Sequence, residues 1–440
     1  MEKQAISSYE EAVDYVFNVP RFTKKNTMAD TKAFLDKLGN PDESLRIIHV
    51  AGTNGKGSVC AYMRSILEAA GKSVAVFTSP HLVDVRERFV INGEMISKEA
   101  FLQAFLQIYD LLEWEKIEAG EGYHPTFFEY MFFIGMLVFK EAAPDFCILE
   151  TGLGGRLDAT NAVAKKELAV ITRIGLEHTE YLGDTLEAIA GEKAGIMAQD
   201  TPVVYWDTCD EVSAVFEKKA KKMAAECHSV SKSDYVFLRN HNKTIDFLYV
   251  YRYDISVTIR LNTIARYQLE NCVLALKAME ILGKNLEIGI DSMKQGVEAC
   301  FWAGRMEEVL PEVYVDGAHN ADGIRAFVET VKTDGYDGRR KLLFSVVSDK
   351  DYSTMLQCLG QENLFQSITV ARLESYRGVP LGELLGKVRQ FSEVEVTGYE
   401  CVKDALEAVL AQKQEEERVY IVGSLYLVGE IKEYLSYDKF

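Results

Sequence analysis

Apolar positions along the chain change rhythm at three places. Over residues 9–16 and 30–38 they recur at helical spacing, and Gly39-Asn40-Pro41 stops the second run. From residue 45 onward, short continuously apolar runs alternate with longer amphipathic ones. Residues 45–50, 73–78, 146–149, 168–171 and 201–206 predict strands, and residues 58–70, 98–118 and 126–141 predict helices. Strands that are apolar throughout and separated by helices imply a parallel sheet covered on both faces.

Near residue 235 the period falls to two. Residues 235–238, 244–251 and 255–261 alternate between polar turns, the pattern of an antiparallel meander attached to the first domain. Helical patterns follow at 266–282 and 291–300. From about residue 309 a second α/β rhythm begins, with strands at 313–315, 341–347, 367–371, 393–397 and 419–422. Helices at 321–332, 382–391 and 401–412 alternate with them. The expected fold is α/β, with a P-loop-type doubly wound parallel sheet and a small antiparallel meander over residues 1–303. A second, Rossmann-like α/β domain occupies residues 304–440. The acidic run Glu415-Glu416-Glu417 reads as a solvated loop or helix end.

Composition narrows the setting. A net charge of −18 over 440 residues argues against a nucleic-acid partner. An anionic substrate must therefore be held by local cations and backbone amides. None of the eight Cys residues forms a CxxC pair, which fits reduced thiols in a cytoplasmic protein. The N-terminus lacks the apolar stretch of a signal peptide, and no run is long enough to span a bilayer.

Gly52-Thr53-Asn54-Gly55-Lys56-Gly57-Ser58 lies between a predicted strand and a predicted helix. Glycines let the backbone approach an anion, and amides at a helix start point toward it. Lys56 could reach the outer phosphates of a nucleotide, and Ser58 a metal ion. The loop departs from the common P-loop, with Val50 where that pattern has Gly and Gly57 where it has Ser or Thr. A GTPase, kinase or transporter could carry such a loop, so it does not name a reaction.

Further reactive side chains follow other strands. Ser79 in Thr78-Ser79-Pro80-His81-Leu82, Glu150, and the pair Glu177-His178 all stand at predicted carboxyl ends, where open α/β sheets bind ligands. Magnesium favours oxygen ligands, so a His ligand would be unusual and His178 alone reads equally as a hydrogen-bonded loop residue. Lys193 sits among small and apolar residues, either snorkelling or modified. Asp316-Gly317-Ala318-His319-Asn320 follows the first strand of the second domain, and Asn320 is also a natural helix cap.

Together these segments resemble the folylpolyglutamate synthase/dihydrofolate synthase family of the Mur ligase superfamily. The resemblance runs through Leu38-Gly39-Asn40-Pro41, the segment from His49 to Ser58, Ser79-Pro80-His81-Leu82, Glu87-Arg88 and Thr126-Phe127-Phe128-Glu129. It continues through Glu150 to Asn161, His178 to Gly183, Glu192 to Ile196, Asp316 to Asn320, Asp349-Lys350-Asp351 and Gly423-Ser424-Leu425-Tyr426. It implies an ATP-dependent ligase that adds L-glutamate to tetrahydrofolate, dihydropteroate or both through an acyl phosphate. By the same resemblance Gly55, Lys56, Gly57 and Ser58 hold ATP phosphates, with Asn271, Arg305 and Asp316 as further nucleotide contacts. Ser79, Glu150 and His178 become ligands for Mg2+, with two ions expected, and Lys193 a carbamylated lysine. Thr126, Phe127, Phe128, Glu129, Leu157, Asp158 and Ala159 would face the folate, while Ser424 and His319 would lie near glutamate. Lys56, Lys193 and His319 are the catalytic candidates, His319 as a group that orients or deprotonates the glutamate amine. A monomer is implied.

The sequence departs from the family at several points. Ala303 stands where Pro is usual before Gly304-Arg305, Glu177 where Asp is usual, Tyr267 where His is usual, and Ala321 where Pro is usual. Residues 22–31, near the family's N-terminal substrate contacts, match poorly. Two other readings stay open on sequence: a cell-wall amino-acid ligase of the same superfamily, and a nucleotide-dependent switch without ligase activity.

Overall fold

The computed structural model describes residues 3–19, 26–241, 243–251, 255–283, 286, 288–375 and 377–437. Residues 22–25 of the poorly matching N-terminal segment lie outside this set. The chain divides into two compact units, Met1–Asp234 with Asn271–Ala299, and Tyr235–Glu270 with Cys300–Phe440.

The first unit is built on eight strands. They are β1 (Ile47–Ala51), β2 (Val74–Phe77), β3 (Phe89–Ile91), β4 (Glu94–Met95), β5 (Phe146–Glu150), β6 (Leu168–Ile171), β7 (Val203–Trp206) and β8 (Cys227–Val230). Their order is β4-β3-β2-β5-β1-β6-β7-β8, parallel from β2 to β8, with β3 and β4 an antiparallel hairpin at one edge. Every residue of β1, β2, β5, β6 and β7 is buried, which is why these strands read as unbroken apolar runs. β1 lies at the centre, with Ile48 paired to Ile148 on one side and Leu168 on the other. The chain leaves β1 where the strand order reverses, so the loop after β1 sits at the sheet's switch point.

Three sequence expectations change here. The expected helix over 98–118 is two, Lys98–Asp110 and Trp114–Glu118. Trp114 folds back onto Tyr109, with ring centroids 4.7 Å apart and its Nε1 donating to the Tyr109 carbonyl at 3.3 Å. No Gly or Pro announces that break. Strand β8 was not expected, because it pairs on one side only and is mostly half-exposed. The short hairpin β3–β4 also lacked an apolar run.

In the second unit β9 (Tyr235–His241), β10 (Thr244–Tyr251) and β11 (Ile255–Leu261) form the expected meander. Asp246, buried on β10, accepts from Arg239 Nε at 2.9 Å and Arg260 Nε at 2.8 Å, one arginine from each neighbouring strand. The meander packs with the C-terminal unit rather than the first domain, through Asn240 Nδ2 to the Thr333 carbonyl (3.1 Å) and Lys243 to Glu308 (2.7 Å).

The remaining strands are β12 (Arg305–Leu310), β13 (Val313–Asp316), β14 (Arg339–Phe344), β15 (Ser367–Ala371), β16 (Glu395–Tyr399) and β17 (Glu417–Val422), in the order β12-β13-β17-β14-β15-β16. All pair in parallel except β12 with β13. The acidic run corrects a further expectation. Glu417 opens β17, is buried, and pairs with Lys341 at 2.9 Å. Among the described residues no helix is long and apolar enough to cross a membrane, and all eight cysteines are free thiols.

Candidate active site

The loop after β1 is shaped by two glycines. Gly52 has φ +151°, and a Cβ there would stand 1.8 Å from Thr172 Oγ1. Gly55 has φ +91° and opens the helix Lys56–Ala69, and a Cβ on it would meet Asn271 Oδ1 at 2.1 Å. Only glycine meets both demands. Thr53 Oγ1 donates to the Gly175 carbonyl at 3.1 Å and accepts the Gly175 amide at 3.0 Å, while Thr172 Oγ1 donates to the Asn54 carbonyl at 2.7 Å. The loop is therefore tied to the segment after β6. Gly55 supplies no side-chain cap, so the helix start keeps backbone amides available for an anion. Ser58 lies buried in the first turn.

Two lysines converge on this loop. Lys56 Nζ donates to the carbonyls of Gly52 and Thr53, each at 3.2 Å. Lys193, buried at the end of the helix Leu186–Lys193, donates to the same Gly52 carbonyl at 2.7 Å. Burial, then the like charge of Lys56, pushes the Lys193 amine down to about 7, against the opposing pull of Glu177 and Asp158.

Ser79 and Glu150 also meet, across the neighbouring strands β2 and β5. Glu150 is buried, and its Oε2 accepts the Ser79 amide at 3.1 Å. A hydroxyl and a carboxylate are the hard oxygen donors that magnesium selects. His178 caps the short helix Thr179–Leu182 with φ +52°, its Nε2 lying 3.8 Å from Glu177 Oε1. Among the described residues no group of three or more His, Cys, Asp or Glu side chains could hold a metal by itself.

The helix Phe127–Ala142 starts on a capping box. Thr126 Oγ1 accepts the Glu129 amide at 3.3 Å and Glu129 Oε2 accepts the Thr126 amide at 2.8 Å. Glu129 also accepts from Asn26 Nδ2 (2.7 Å) and Thr31 Oγ1 (2.9 Å), so its carboxylate ties three segments together inside the protein. Phe127 and Phe128 remain half-buried. The Arg88 guanidinium lies 5.3 Å from the Phe127 ring centroid, and Arg88 Nε donates to His81 Nδ1 at 2.8 Å. Burial and Arg88 push His81 down to about 3, so that imidazole stays neutral. A Cβ on Gly152 would stand 2.6 Å from the Phe128 ring, so the loop after β5 presses directly on that ring.

Asp158 organises this loop. Oδ2 accepts the amides of Gly152 (2.9 Å) and Leu153 (2.8 Å), and Oδ1 accepts the Thr160 amide (3.0 Å) and hydroxyl (2.5 Å). Thr160 in turn meets His49 Nε2 at 2.8 Å. Leu157 is exposed and Ala159 buried. Sequence reasoning placed His49 in a strand and at the start of a family motif and gave it no role of its own. The available signal was an imidazole inside an otherwise apolar run.

The second unit carries its own loop cluster. Asp316, at the end of β13, is buried. Its Oδ2 accepts from Tyr267 Oη at 2.5 Å and the Met306 amide at 3.0 Å, and its Oδ1 accepts the Ala318 amide at 2.8 Å. Burial pushes its carboxyl up, while Arg305, Tyr267 and the amides oppose the shift. A Cβ on Gly317 would stand 2.1 Å from Arg305 Nη1, so this glycine admits the guanidinium. His319 Nδ1 is 2.8 Å from the Gly317 carbonyl. Asn320 Oδ1 caps the helix Ala321–Thr333 by accepting the Gly323 amide at 2.7 Å. The Gly423 amide donates to the Ala318 carbonyl at 3.1 Å, which sets buried Ser424 beside this loop. Ser424 Oγ accepts the Tyr426 amide at 3.1 Å.

Residues 50–279 match the Mur ligase middle domain and residues 304–425 the Mur ligase glutamate ligase domain. The chain is 34% identical to the dihydrofolate synthase/folylpolyglutamate synthase of Bacillus subtilis, covering 98% of this chain and 100% of that one. Its fold superposes on Mycobacterium tuberculosis folylpolyglutamate synthase complexed with ADP, with a TM-score of 0.88, 26% identity and 98% of each chain covered. Escherichia coli FolC in complex with DHPP and ADP gives a TM-score of 0.84 at 27% identity over 99% of each chain. The chain belongs to the folylpolyglutamate synthase/dihydrofolate synthase family of Mur ligases.

Proposed function

We propose that this chain is an ATP-dependent ligase that joins L-glutamate to folates, extending tetrahydrofolate and accepting dihydropteroate as well. The observation that carries the reading is the convergence of Lys56 and Lys193 on the Gly52 carbonyl of an uncapped, glycine-shaped loop. Family membership supplies the acceptor class. The functional division is proposed at residues 303 and 304, where the glutamate ligase domain begins.

A free carboxylate is a poor acyl donor. Attack of the acceptor carboxylate on the γ-phosphorus of ATP forms a C–O–P bond and releases ADP. The glutamate amine then attacks the carbonyl carbon, losing a proton as phosphate leaves. The protein's work is positioning and charge stabilisation. Gly55, Lys56, Gly57 and Ser58 hold the phosphates, with Asn271, Arg305 and Asp316 as further nucleotide contacts. Ser79 and Glu150 fit magnesium, with His178 as the third family ligand. Bound there, the metal offsets phosphate charge. Lys193 supports a carbamate, because an amine lowered to about 7 offers its lone pair to CO2 at neutral pH. The neutral amine nitrogen bonds to the CO2 carbon, one proton leaves, and the neutral side chain becomes an anion that would suit a second Mg2+. Phe127, Phe128, Leu157, Asp158 and Ala159 form the folate side, with Thr126 and Glu129 setting the helix start. Ser424 and His319 serve glutamate, His319 by orienting or deprotonating its amine. The protein acts as a cytoplasmic monomer.

The test supplies ATP, magnesium and glutamate with dihydropteroate or tetrahydrofolate in turn, and reads phosphate release and product mass. One added glutamyl unit on each acceptor is the expected result. No product from either acceptor overturns the proposal.

A further inference from the structure

The polar chain beneath the loop after β5 begins at a residue with no evident value to the sheet. His49 sits on β1 between Leu149 of β5 and Ala169 of β6, with no solvent exposure. Its Nε2 lies 2.8 Å from Thr160 Oγ1, which lies 2.5 Å from Asp158 Oδ1. A hydroxyl has one hydrogen. The carboxylate already accepts three backbone amides and takes that hydrogen too, so Thr160 must accept from His49 through Nε2–H. Burial, reinforced by Lys166, holds the imidazole well below its ordinary pKa, and it is neutral. Among the described residues His49 Nδ1 has no hydrogen-bond partner. A buried, unpaired ring nitrogen is a net loss to folding, so an apolar side chain would serve the strand better.

We infer that His49 is a positioning residue for the folate side of the site. Its Nε2–H fixes the Thr160 hydroxyl, Thr160 fixes the Asp158 carboxylate, and Asp158 holds the 152–153 turn that presses on Phe128. The strand that ends in the phosphate loop thereby also anchors the loop facing the acceptor. This inference rests on the assignment of Phe128, Leu157, Asp158 and Ala159 to the folate side.

The experiment compares His49→Leu, His49→Gln, Thr160→Val and the His49→Leu/Thr160→Val double variant in the ligase assay. Loss of one buried hydrogen bond in the chain should raise the acceptor KM about tenfold in His49→Leu, with the ATP KM within about twofold of wild type. His49→Gln, whose amide can replace the Nε2–H, should recover most of the loss. The double variant should be no worse than Thr160→Val alone, because both changes break one chain. Nitrogen-15 spectra of the wild-type imidazole should show a neutral Nε2–H tautomer that does not titrate between about pH 5.5 and 8.5. A Nδ1–H tautomer overturns the inference even if the variants fold poorly. So do equal rises in both KM values, or a fall in melting temperature with neither KM changed. If wild type makes no product from either acceptor, the functional assignment has failed instead. An active wild type without the KM split counts against the role of His49 alone.

Discussion

The loop after β1 and the loop after β13 each leave the carboxyl end of a parallel strand and enter a helix, yet their polar groups are spent differently. After β1, the residue before the helix is a glycine with positive φ and no capping side chain, and the side chains of Lys56 and Lys193 gather on a backbone carbonyl. After β13, a buried carboxylate already accepts from Tyr267, Met306 and Ala318, and Asn320 caps the helix. The first arrangement leaves donors for an outside anion, and the second satisfies an anion of its own. Topology alone does not mark an anion-binding loop. The distinguishing feature is whether the helix start and the nearby charges are already matched within the protein.

The sharpest way to break this comparison is to exchange what each loop is built around. Lys56→Met removes the cation proposed to meet developing phosphate charge, so kcat should fall about a thousandfold. Its melting temperature should stay close to wild type, because Lys56 is half-buried and, among the described residues, its ammonium bonds to loop carbonyls. Steady-state phosphate release and a thermal melt on the same sample decide this. A variant that unfolds early while retaining its rate would reverse the assignment.

Asp316→Ala should do its damage in the other direction. It strands the Tyr267 hydroxyl and two backbone amides in a buried site, at a cost of about 3 kcal/mol of stability. Urea unfolding should show the midpoint moving with an unchanged slope. An unchanged midpoint would mean that water meets those donors and that the second loop is more open than its hydrogen bonds indicate.

Lys193 sharpens the comparison through pH. Its folded pKa of about 7 lies below the ordinary lysine value of 10.5. Between those limits the unfolded chain binds the extra proton, so this group makes stability rise with pH across that window and flatten below 7. The same neutral amine is the form that takes up CO2. Activity should therefore climb through pH 7, and at pH 6.5 it should increase about twofold or more with added bicarbonate. Lys193→Met should lose that response. A wild-type rate indifferent to bicarbonate after exhaustive degassing would sink the carbamate.

Much of this is legible in the sequence. The core strands of both sheets are buried on both faces, so the continuous runs at β1, β5, β6 and β17 could hardly be anything else. The loop after β1 was legible because its glycines are demanded by local geometry. The edge strands β3, β4 and β8 were not, since a strand paired on one side has no need of an apolar run. Strand β12 carries Glu307 and Glu308 and two register shifts, which hide its alternation. Glu417 misled for a different reason: its partner Lys341 is 76 positions away in the chain, and no local pattern announces a distant cation. Glu129 read as a substrate contact by family position, while its four hydrogen bonds to Asn26, Thr31 and Thr126 belong to packing that only the fold reveals.

The smallest expected effect is the most exacting test of the second loop. Tyr267→Phe keeps the ring and removes one of the three donors to Asp316. The carboxylate retains the Met306 and Ala318 amides, with Arg305 still opposing its burial. The loss should be about 1 kcal/mol, a fall of about 3 °C in melting temperature for a unit of this size. If the loop is self-contained, the KM for ATP moves little, because the remaining donors hold the carboxylate in place. A large rise in that KM with no thermal shift would mean that Tyr267 restrains Asp316 for a ligand rather than for the fold. The two loops would then differ in degree of preparation and not in kind.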